Sequence, residues 1–167
     1  MGVELIYKYW KVNLSVVNLS GIFKASNHQY IYMKYLAYTD GGSRNNTHAS
    51  CAWIITNETN EIIHSNSCYL GGRTSNEAEY MGLILCLTSA VAGGIKHLVV
   101  TQDSELVSRQ MNGEYQVKAS NLKPLHDTAM CLSRQFDSIA FNWSGREHPL
   151  IGVCDKLCDQ MIDSYKK

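Results

Sequence analysis

Alternating and continuous apolar segments predict nine elements after residue 33. The run HLVVT at 97–101 is continuously apolar at its centre, which is typical of a strand buried on both faces. A polar cap at 74–76 precedes a long segment that is apolar on nearly every side, which predicts a helix buried on more than one face. Glycine pairs and Asn, Ser and Pro clusters separate the segments. The predicted strands are 34–40, 49–56, 61–70, 97–101 and 138–143, and the predicted helices are 77–91, 105–111, 124–136 and 151–165.

The order of these elements predicts an α/β fold with helices packed on a sheet. Short turns join the first three strands, so we expect them to form an antiparallel meander. Residues 1–32 differ from the rest, because they hold six aromatic residues, three Lys and one Glu with only weak alternation. Met33 directly precedes the first clear strand. We therefore expect an N-terminal extension at 1–32 and one folded domain at 33–167.

Composition excludes several classes of protein. Hydrophobic residues make up 45% of the 167 residues and charged residues 18%, so the chain can bury a core and is not disordered throughout. Fifteen Lys and Arg balance fifteen Asp and Glu, so any binding of nucleic acid depends on local charge. The chain contains no apolar run of about 20 residues and no signal-peptide pattern. We expect a cytoplasmic protein without membrane contact, whose six cysteines are reduced and serve in packing.

Four carboxylates lie where the fold alone does not require them. Asp40 ends the first strand, Asp103 follows the central strand, and Glu79 lies in an apolar helix. Asp155 lies early in the last helix. Each has an ordinary structural interpretation, as a turn residue, a helix cap, a helix-dipole charge or a solvated side chain. Together they indicate a site for Mg²⁺ or Mn²⁺, because ligands collect at the carboxyl ends of such strands and clustered carboxylates require cations.

Three segments in order resemble the successive motifs of type-1 ribonuclease H. They are YTDGG at 38–42, TSNEAEY at 74–80 and VTQDS at 100–104, and CDKLC at 154–158 resembles the family's final Ala-Asp-x-Leu-Ala. The short link at 113–118 is similar to the compact branch of the family, which lacks an extended basic handle. The resemblance runs from about residue 33 to the C-terminus. It implies a ribonuclease H-like fold, a five-stranded mixed sheet with strands 1–3 antiparallel, flanked by helices.

The resemblance also implies the metal site. By position in the motifs, Asp40, Glu79, Asp103 and Asp155 are expected to be catalytic and to bind two Mg²⁺ ions, with Mn²⁺ as an alternative. In the family the first Asp contacts both ions, and the last Asp holds the ion that activates water. Two such ions about 3.5–4 Å apart are the usual device for phosphodiester hydrolysis.

Substrate contacts follow from the same resemblance. Asn76 matches the family's contact to the RNA strand, and Thr74 and Asn46 resemble residues that hold a phosphate of the DNA strand. His148 matches a catalytic histidine that assists product release in some relatives; the alternative is an ordinary histidine in a surface loop. Further candidates for phosphate contacts are Arg44, Arg73, Arg109, Lys118 and Lys123.

The function implied is that of an endoribonuclease acting on RNA/DNA hybrids. We expect it to hydrolyse the RNA strand by a two-metal-ion mechanism, leaving 5′-phosphate and 3′-hydroxyl ends, with a monomer as the favoured state. One alternative is a divalent-metal exonuclease or integrase-like enzyme, which the spacing of Asn76 and Glu79 disfavours. Another is a weakly active or inactive domain that binds hybrids or a protein partner. A third is a fragment of a reverse transcriptase, although a separate protein is the favoured interpretation.

Overall fold

The computed structural model describes residues 33–145 and 147–165. The predicted extension at 1–32 therefore lies outside the described residues. The described strands are β1 (Lys34–Arg44), β2 (His48–Thr56), β3 (Ile62–Gly71), β4 (His97–Gln102) and β5 (Ser138–Trp143). The helices are α1 (Ser75–Ala92), α2 (Glu105–Met111), α3 (Lys123–Ser133) and α4 (Pro149–Tyr165).

The five strands form one mixed sheet in the order β3-β2-β1-β4-β5. Strands β1, β2 and β3 are antiparallel neighbours, and β4 is parallel to both β1 and β5. This confirms the predicted α/β fold and the antiparallel meander. Thr39 pairs with Gln102 in the parallel β1–β4 ladder. Asp40 directly follows Thr39, and Asp103 directly follows Gln102. The two aspartates consequently reach the same edge of the sheet.

Strand β1 continues past its predicted end. The Gly41-Gly42 pair predicts the end of the strand. In the structure the strand continues through it, because both glycines pair with β2, opposite Cys51 and Ser50. Helix α3 ends earlier than predicted, at Ser133, and Phe136 reaches the core from the loop that follows.

Helices cover both faces of the sheet. Helix α1 packs on β1 and β2, and its buried residues include every position from 78 to 84, which confirms a helix buried on more than one side. A Thr74 cap begins this helix, with Glu77 completing a reciprocal capping box. Helix α4 packs on β1, β2 and β3 from the opposite face, where Ile151, Cys154 and Cys158 meet Tyr38 and Ile54.

All six cysteines are free thiols, and Cys51, Cys86, Cys154 and Cys158 are buried. These four act as small core residues, as predicted. The prediction is wrong for Cys131, which is exposed, and Cys68 is only partly buried. Among the described residues, no helix combines the length and apolar character that a membrane crossing requires.

Candidate metal-binding active site

Three of the four predicted carboxylates lie together at the carboxyl edge of β1 and β4. Asp40, Glu79 and Asp103 each bring one carboxylate oxygen within 4.8 Å of the other two. Asp40 and Glu79 are buried, with 3% and 7% of their surfaces exposed, and Asp103 is partly buried. Burial and close approach make ionisation of these acids unfavourable when no cation is bound, because desolvation and mutual repulsion both disfavour the charged forms.

Glycines bring Glu79 to Asp40. A Cβ atom placed on Gly41 would come within 2.2 Å of the Ala78 carbonyl carbon and the Glu79 amide nitrogen. One turn along α1, a Cβ on Gly82 would lie 2.9 Å from the Asp40 carbonyl oxygen. The absence of both side chains lets the helix backbone touch the strand, and the Gly41 N–H donates a hydrogen bond to the Glu79 carboxylate.

A buried polar network fixes the end of β4. Thr39 donates from Oγ1 to Gln102 Oε1 (3.3 Å), and Gln102 donates from Nε2 to Ser108 Oγ (3.0 Å). Ser108 in turn donates to the Asn142 carbonyl oxygen (3.3 Å). These bonds tie β1, β4, α2 and β5 together at the residue before Asp103. They therefore hold the backbone from which the Asp103 carboxylate extends.

The cluster changes the titration of its own acids. Burial, followed by the charges of Asp103 and Asp155, raises the pKa of Asp40 from 3.8 to about 7. Burial, and then the charges of Asp40 and Asp103, raises the pKa of Glu79 well above its usual value. A hydrogen bond from the Cys158 thiol opposes the shift at Asp40. In the metal-free protein, the cluster therefore holds protons that free carboxylic acids would have lost.

The donor set fits a hard divalent cation. Glu79 Oε2 is buried and has no hydrogen-bond partner among the described residues, which leaves a carboxylate oxygen able to bind a cation. Carboxylate oxygens are the ligands that Mg²⁺ and Mn²⁺ prefer. A cation bound to Asp40, Glu79 and Asp103 would supply the missing partner and reverse the repulsion that raises the pKa values of Asp40 and Glu79.

Asp155 lies beside the cluster rather than within its closest group. It is in α4, where it is partly buried, and its charge acts on Asp40. The same helix is anchored to β1, since the Cys154 thiol donates to the Tyr38 carbonyl oxygen (3.5 Å) and the Cys158 thiol contacts that of Asp40 (3.6 Å). This anchoring holds Asp155 close enough for its charge to act on Asp40.

The residues predicted to contact substrate form a second group near the start of α1. Asn46 is exposed in the turn after β1 with a positive φ of 57°. The turn is held against the segment before α1, because Ser43 Oγ donates to the Arg73 carbonyl oxygen (2.6 Å). Asn76 is exposed in the first turn of the helix. The Thr74 hydroxyl takes part in the capping box, accepting from the Glu77 N–H (3.3 Å) and donating to Glu77 Oε2 (2.7 Å).

His148 is fixed by two contacts. Its ring stacks on Tyr38 with a centroid distance of 4.8 Å, and its Nδ1 accepts a hydrogen bond from the Leu150 N–H (3.3 Å) at the start of α4. Nδ1 is therefore unprotonated in this arrangement, and any N–H is on Nε2. His148 also lines a groove that begins at the carboxyl ends of β4 and β5.

Two features of the site were not predicted from sequence. Gly82 looks like one small residue in an apolar helix, although its spacing of three from Glu79 places it on the neighbouring turn. Trp143 is predicted only as the last residue of a strand. In the structure its Nε1 also donates to the Asp103 carbonyl oxygen (3.1 Å), and 55% of its surface is exposed. The sequence signal for that contact is weak: a tryptophan ends the edge strand, and the neighbouring strand is followed by a carboxylate.

Comparison with known proteins assigns the family. A family model described as reverse transcriptase-like matches residues 38–155, which include all four carboxylates. The N-terminal RNase H domain of Rv2228c from Mycobacterium tuberculosis superposes with a TM-score of 0.75 at 32% identity, covering 79% of this chain and 95% of that one. The chain belongs to the type-1 ribonuclease H family.

Other ribonuclease H structures agree with this assignment. LC11-RNase H1, solved in complex with an RNA/DNA hybrid, has a TM-score of 0.74 and 32% identity, covering 80% of this chain and all of that one. RNase H1 from the archaeon Halobacterium salinarum has a TM-score of 0.74 and 26% identity, covering 78% of this chain and 98% of that one. The ribonuclease H resemblance and the ribonuclease H-like fold are thereby confirmed.

The curated relatives are longer than the matched region. The bifunctional protein Rv2228c of Mycobacterium tuberculosis is 33% identical over 136 residues, which cover 79% of this chain and 36% of that protein. The Ribonuclease HI of Halobacterium salinarum is 31% identical over 109 residues, which cover 65% of this chain and 53% of that protein. The chain thus spans about a third to a half of the length of these ribonuclease H relatives.

Proposed function

We propose that the chain is a metal-dependent endoribonuclease that hydrolyses the RNA strand of RNA/DNA hybrids. The observation that carries this proposal is the group of three carboxylates within 4.8 Å, two of them buried, at the carboxyl edge of a ribonuclease H sheet. The hybrid in the LC11-RNase H1 structure supports the choice of substrate. The products we propose are a 3′-hydroxyl and a 5′-phosphate.

Asp40, Glu79, Asp103 and Asp155 would hold two Mg²⁺ ions, or Mn²⁺ in their place. When bound, the ions supply a water molecule ionised near neutral pH and neutralise charge on the scissile phosphate and the leaving oxygen. Asp40 is the central ligand in this proposal, because it is the most buried of the acids and both Asp103 and Asp155 act on it.

The protein distinguishes RNA from DNA through the 2′-hydroxyl group. Glu79 is suited to this role because its Oε2 has no hydrogen-bond partner within the part of the chain that the structure describes. An oxygen that accepts from the 2′-hydroxyl beside the cluster couples recognition of RNA to the position of the scissile phosphate. Asn76 would contact the same strand, and Thr74 and Asn46 a phosphate of the DNA strand. His148 would assist departure of the product.

Residues 33–167 would form the catalytic domain, with 1–32 as a dispensable extension. All four proposed metal ligands follow Met33. A chain that begins at Met33 is expected to keep the kcat and melting temperature of the full chain on the same hybrid. A collapse of either quantity would make the extension part of the catalytic domain.

The substrate is tested by incubating one labelled RNA sequence in three forms, hybridised to DNA, hybridised to RNA and single-stranded, together with a DNA duplex of the same sequence. Each is incubated with Mg²⁺ and with excess EDTA. We expect cleavage of the hybrid alone, and only with metal. Equal cleavage of single-stranded RNA, or cleavage in EDTA, would contradict the proposal, and binding of the hybrid without cleavage would favour an inactive binding domain.

A further inference from the structure

A groove of about 450 Å³ adjoins the acid cluster on the side of β5. It lies between α2 and the carboxyl ends of β4 and β5, and its lining includes Thr101, Arg109, Asn112, Trp143 and His148. None of the three clustered carboxylates lines it. The groove is therefore a surface separate from the three clustered carboxylates.

Trp143 connects the groove to the metal site. Its Nε1 donates to the carbonyl oxygen of Asp103, so the one polar atom of the indole is bonded to the backbone of a proposed metal ligand. More than half of the residue nevertheless remains exposed. Single exposed apolar residues are common on protein surfaces. This one differs because its orientation is fixed by that hydrogen bond and its ring forms part of a concave surface.

The charges of the groove do not favour a phosphate. Among the described residues that line it, Arg109 is the one Lys or Arg side chain. Its Nε donates to Glu105 (2.8 Å) and its NH1 to Glu114 (3.1 Å), so two carboxylates more than offset its single positive charge. Glu114 itself lines the groove, and the rest of the polar lining is His148 together with neutral amides and hydroxyls. Such a surface suits an uncharged group that combines an apolar ring with hydrogen-bonding edges.

Asn112 gives the groove a fixed hydrogen-bond acceptor. Its Nδ2 donates to the Phe141 carbonyl oxygen (2.9 Å), which orients the side-chain amide and leaves Oδ1 as the acceptor. On the minor-groove side, where the 2′-hydroxyl groups also lie, the amino group of guanine is the donor that distinguishes a G·C pair. An acceptor at this place matches guanine better than any other base.

We propose that this groove binds the ribose and the minor-groove base edge of the RNA-strand nucleotide next to the scissile phosphate, with a preference for guanine. The inference rests on the proposed function, since it takes the metal site to be the place of cleavage. Trp143 contacts the sugar through its ring, and Asn112 accepts from the base. Successive nucleotides follow at about 3.4 Å along a strand, so a ring bonded to the Asp103 backbone is within reach of the neighbouring residue.

Two variants of Trp143 separate the ring from its hydrogen bond, and a variant of Tyr165 serves as the control. Trp143→Leu removes both, Trp143→Phe keeps an aromatic ring and removes the N–H, and Tyr165→Leu removes a similarly exposed aromatic residue at the far end of α4. KM and kcat are measured for each on one hybrid, with the melting temperature as a check on folding. We expect Trp143→Leu to raise KM by about tenfold with little change in kcat, Trp143→Phe to raise KM by a smaller factor, and Tyr165→Leu to stay within about twofold of the wild type. Equal losses of kcat in both Trp143 variants would instead assign the residue to positioning Asp103 and would overturn the proposal.

The base preference is tested with inosine, which is guanosine without its amino group. Hybrids that differ only by inosine for guanosine beside the main cleavage site are compared with the wild type and with Asn112→Ala. We expect the wild type to cleave the guanosine hybrid several times faster and Asn112→Ala to cleave the two equally. Equal rates with the wild type would overturn the preference.

Binding distinguishes failure of the groove from failure of the catalytic proposal. Fluorescence anisotropy measures the Kd of a labelled hybrid for Asp40→Asn and for Asp40→Asn combined with Trp143→Leu, without dependence on hydrolysis. A hybrid that binds more weakly to the double variant supports the groove even if the wild type proves inactive. An equal Kd, or no binding to either protein, would overturn the groove.

Discussion

Gly41 lies directly against the backbone of Glu79. A Cβ atom on Gly41 would come within 2.2 Å of the Glu79 amide nitrogen, and the Gly41 N–H bonds to the carboxylate of the same residue. The glycine thus sets the distance between strand β1 and helix α1. Two of the three clustered carboxylates, Asp40 on the strand and Glu79 on the helix, depend on that distance.

Gly41→Ala should therefore displace the helix, whereas Gly42→Ala should not. Among the described residues, a Cβ on Gly42 would meet just Cys158 Cβ at 3.9 Å, an ordinary contact. We expect Gly41→Ala to lower the free energy of unfolding by about 2 kcal/mol or more and Gly42→Ala to change it by less than about 1 kcal/mol, measured by urea denaturation. Similar values for the two variants would contradict the close approach.

Gly82→Ala provides a milder test of the same contact. Replacing glycine by alanine inside a helix ordinarily stabilises by up to about 1 kcal/mol. Here the added Cβ would lie 2.9 Å from the Asp40 carbonyl oxygen, so we expect a net loss of stability and a lower kcat. A net gain of stability with unchanged kcat would show that the helix has room to spare at Gly82.

Asp40→Asn should keep the fold and abolish the response to metal. Removing one charge from the cluster relieves repulsion, so we expect the metal-free variant to melt at or above the temperature of the metal-free wild type at pH 8. Millimolar Mg²⁺ should raise the melting temperature of the wild type, because a ligand that binds only the native state stabilises it. Differential scanning fluorimetry checks both; a wild type that does not respond to Mg²⁺ would count against the metal site.

The stability of the metal-free protein should fall as the pH rises. The pKa of Asp40 is about 7 in the native state against an ordinary 3.8, so the native state binds more protons than the unfolded state between these values. Its stabilising proton is fully present below about pH 4 and is lost as the pH passes through about 7. We expect the melting temperature in EDTA to fall by roughly 5 °C or more between pH 5 and pH 8.

The matched measurement uses Asp40→Asn, in which the group cannot titrate. Its fall in melting temperature over the same range should be smaller than that of the wild type. Parallel curves for the two proteins would place the responsible titration elsewhere.

Several parts of this site could be predicted from sequence, and the reason is local. Asp40, Glu79 and Asp103 lie in short ordered motifs, and the parallel pairing of β1 with β4 then brings the first and last of them to one edge. A similar motif in the last helix predicts Asp155 as the fourth ligand, although it lies outside the closest group of carboxylates. Residue spacing along the chain carries this information without knowledge of the packing.

The contacts that position these carboxylates depend on packing and were not predictable. Gly41 looks like a strand terminator until its distance from α1 is known. The partnership of Gln102 with Ser108 depends on how α2 lies across β4, and the bond from Trp143 to Asp103 depends on the register of β5. Each joins elements whose relative placement the local pattern does not encode.

Asp155 and Asp159 lie one turn apart on α4 and should respond very differently. We expect Asp155→Asn to lower kcat by roughly a hundredfold or more, because it removes a proposed metal ligand. Asp159 is exposed and pairs with Arg44 at 2.5 Å, so Asp159→Asn should leave kcat within about twofold, since such surface pairs contribute little. Steady-state kinetics on one hybrid distinguishes the two, and equal losses would remove Asp155 from the metal site.

The chemistry of the cleaved ends tests the central claim most directly. A hybrid whose RNA strand carries an internal label is cleaved with Mg²⁺ by the wild type and by Asp40→Asn, and the termini of the products are identified by mass spectrometry. Hydrolysis by a metal-activated water leaves 5′-phosphate and 3′-hydroxyl ends, without use of the 2′-hydroxyl as nucleophile. We predict these ends for the wild type and no products for Asp40→Asn. Products ending in a 2′,3′-cyclic phosphate, or undiminished cleavage by Asp40→Asn, would contradict the account.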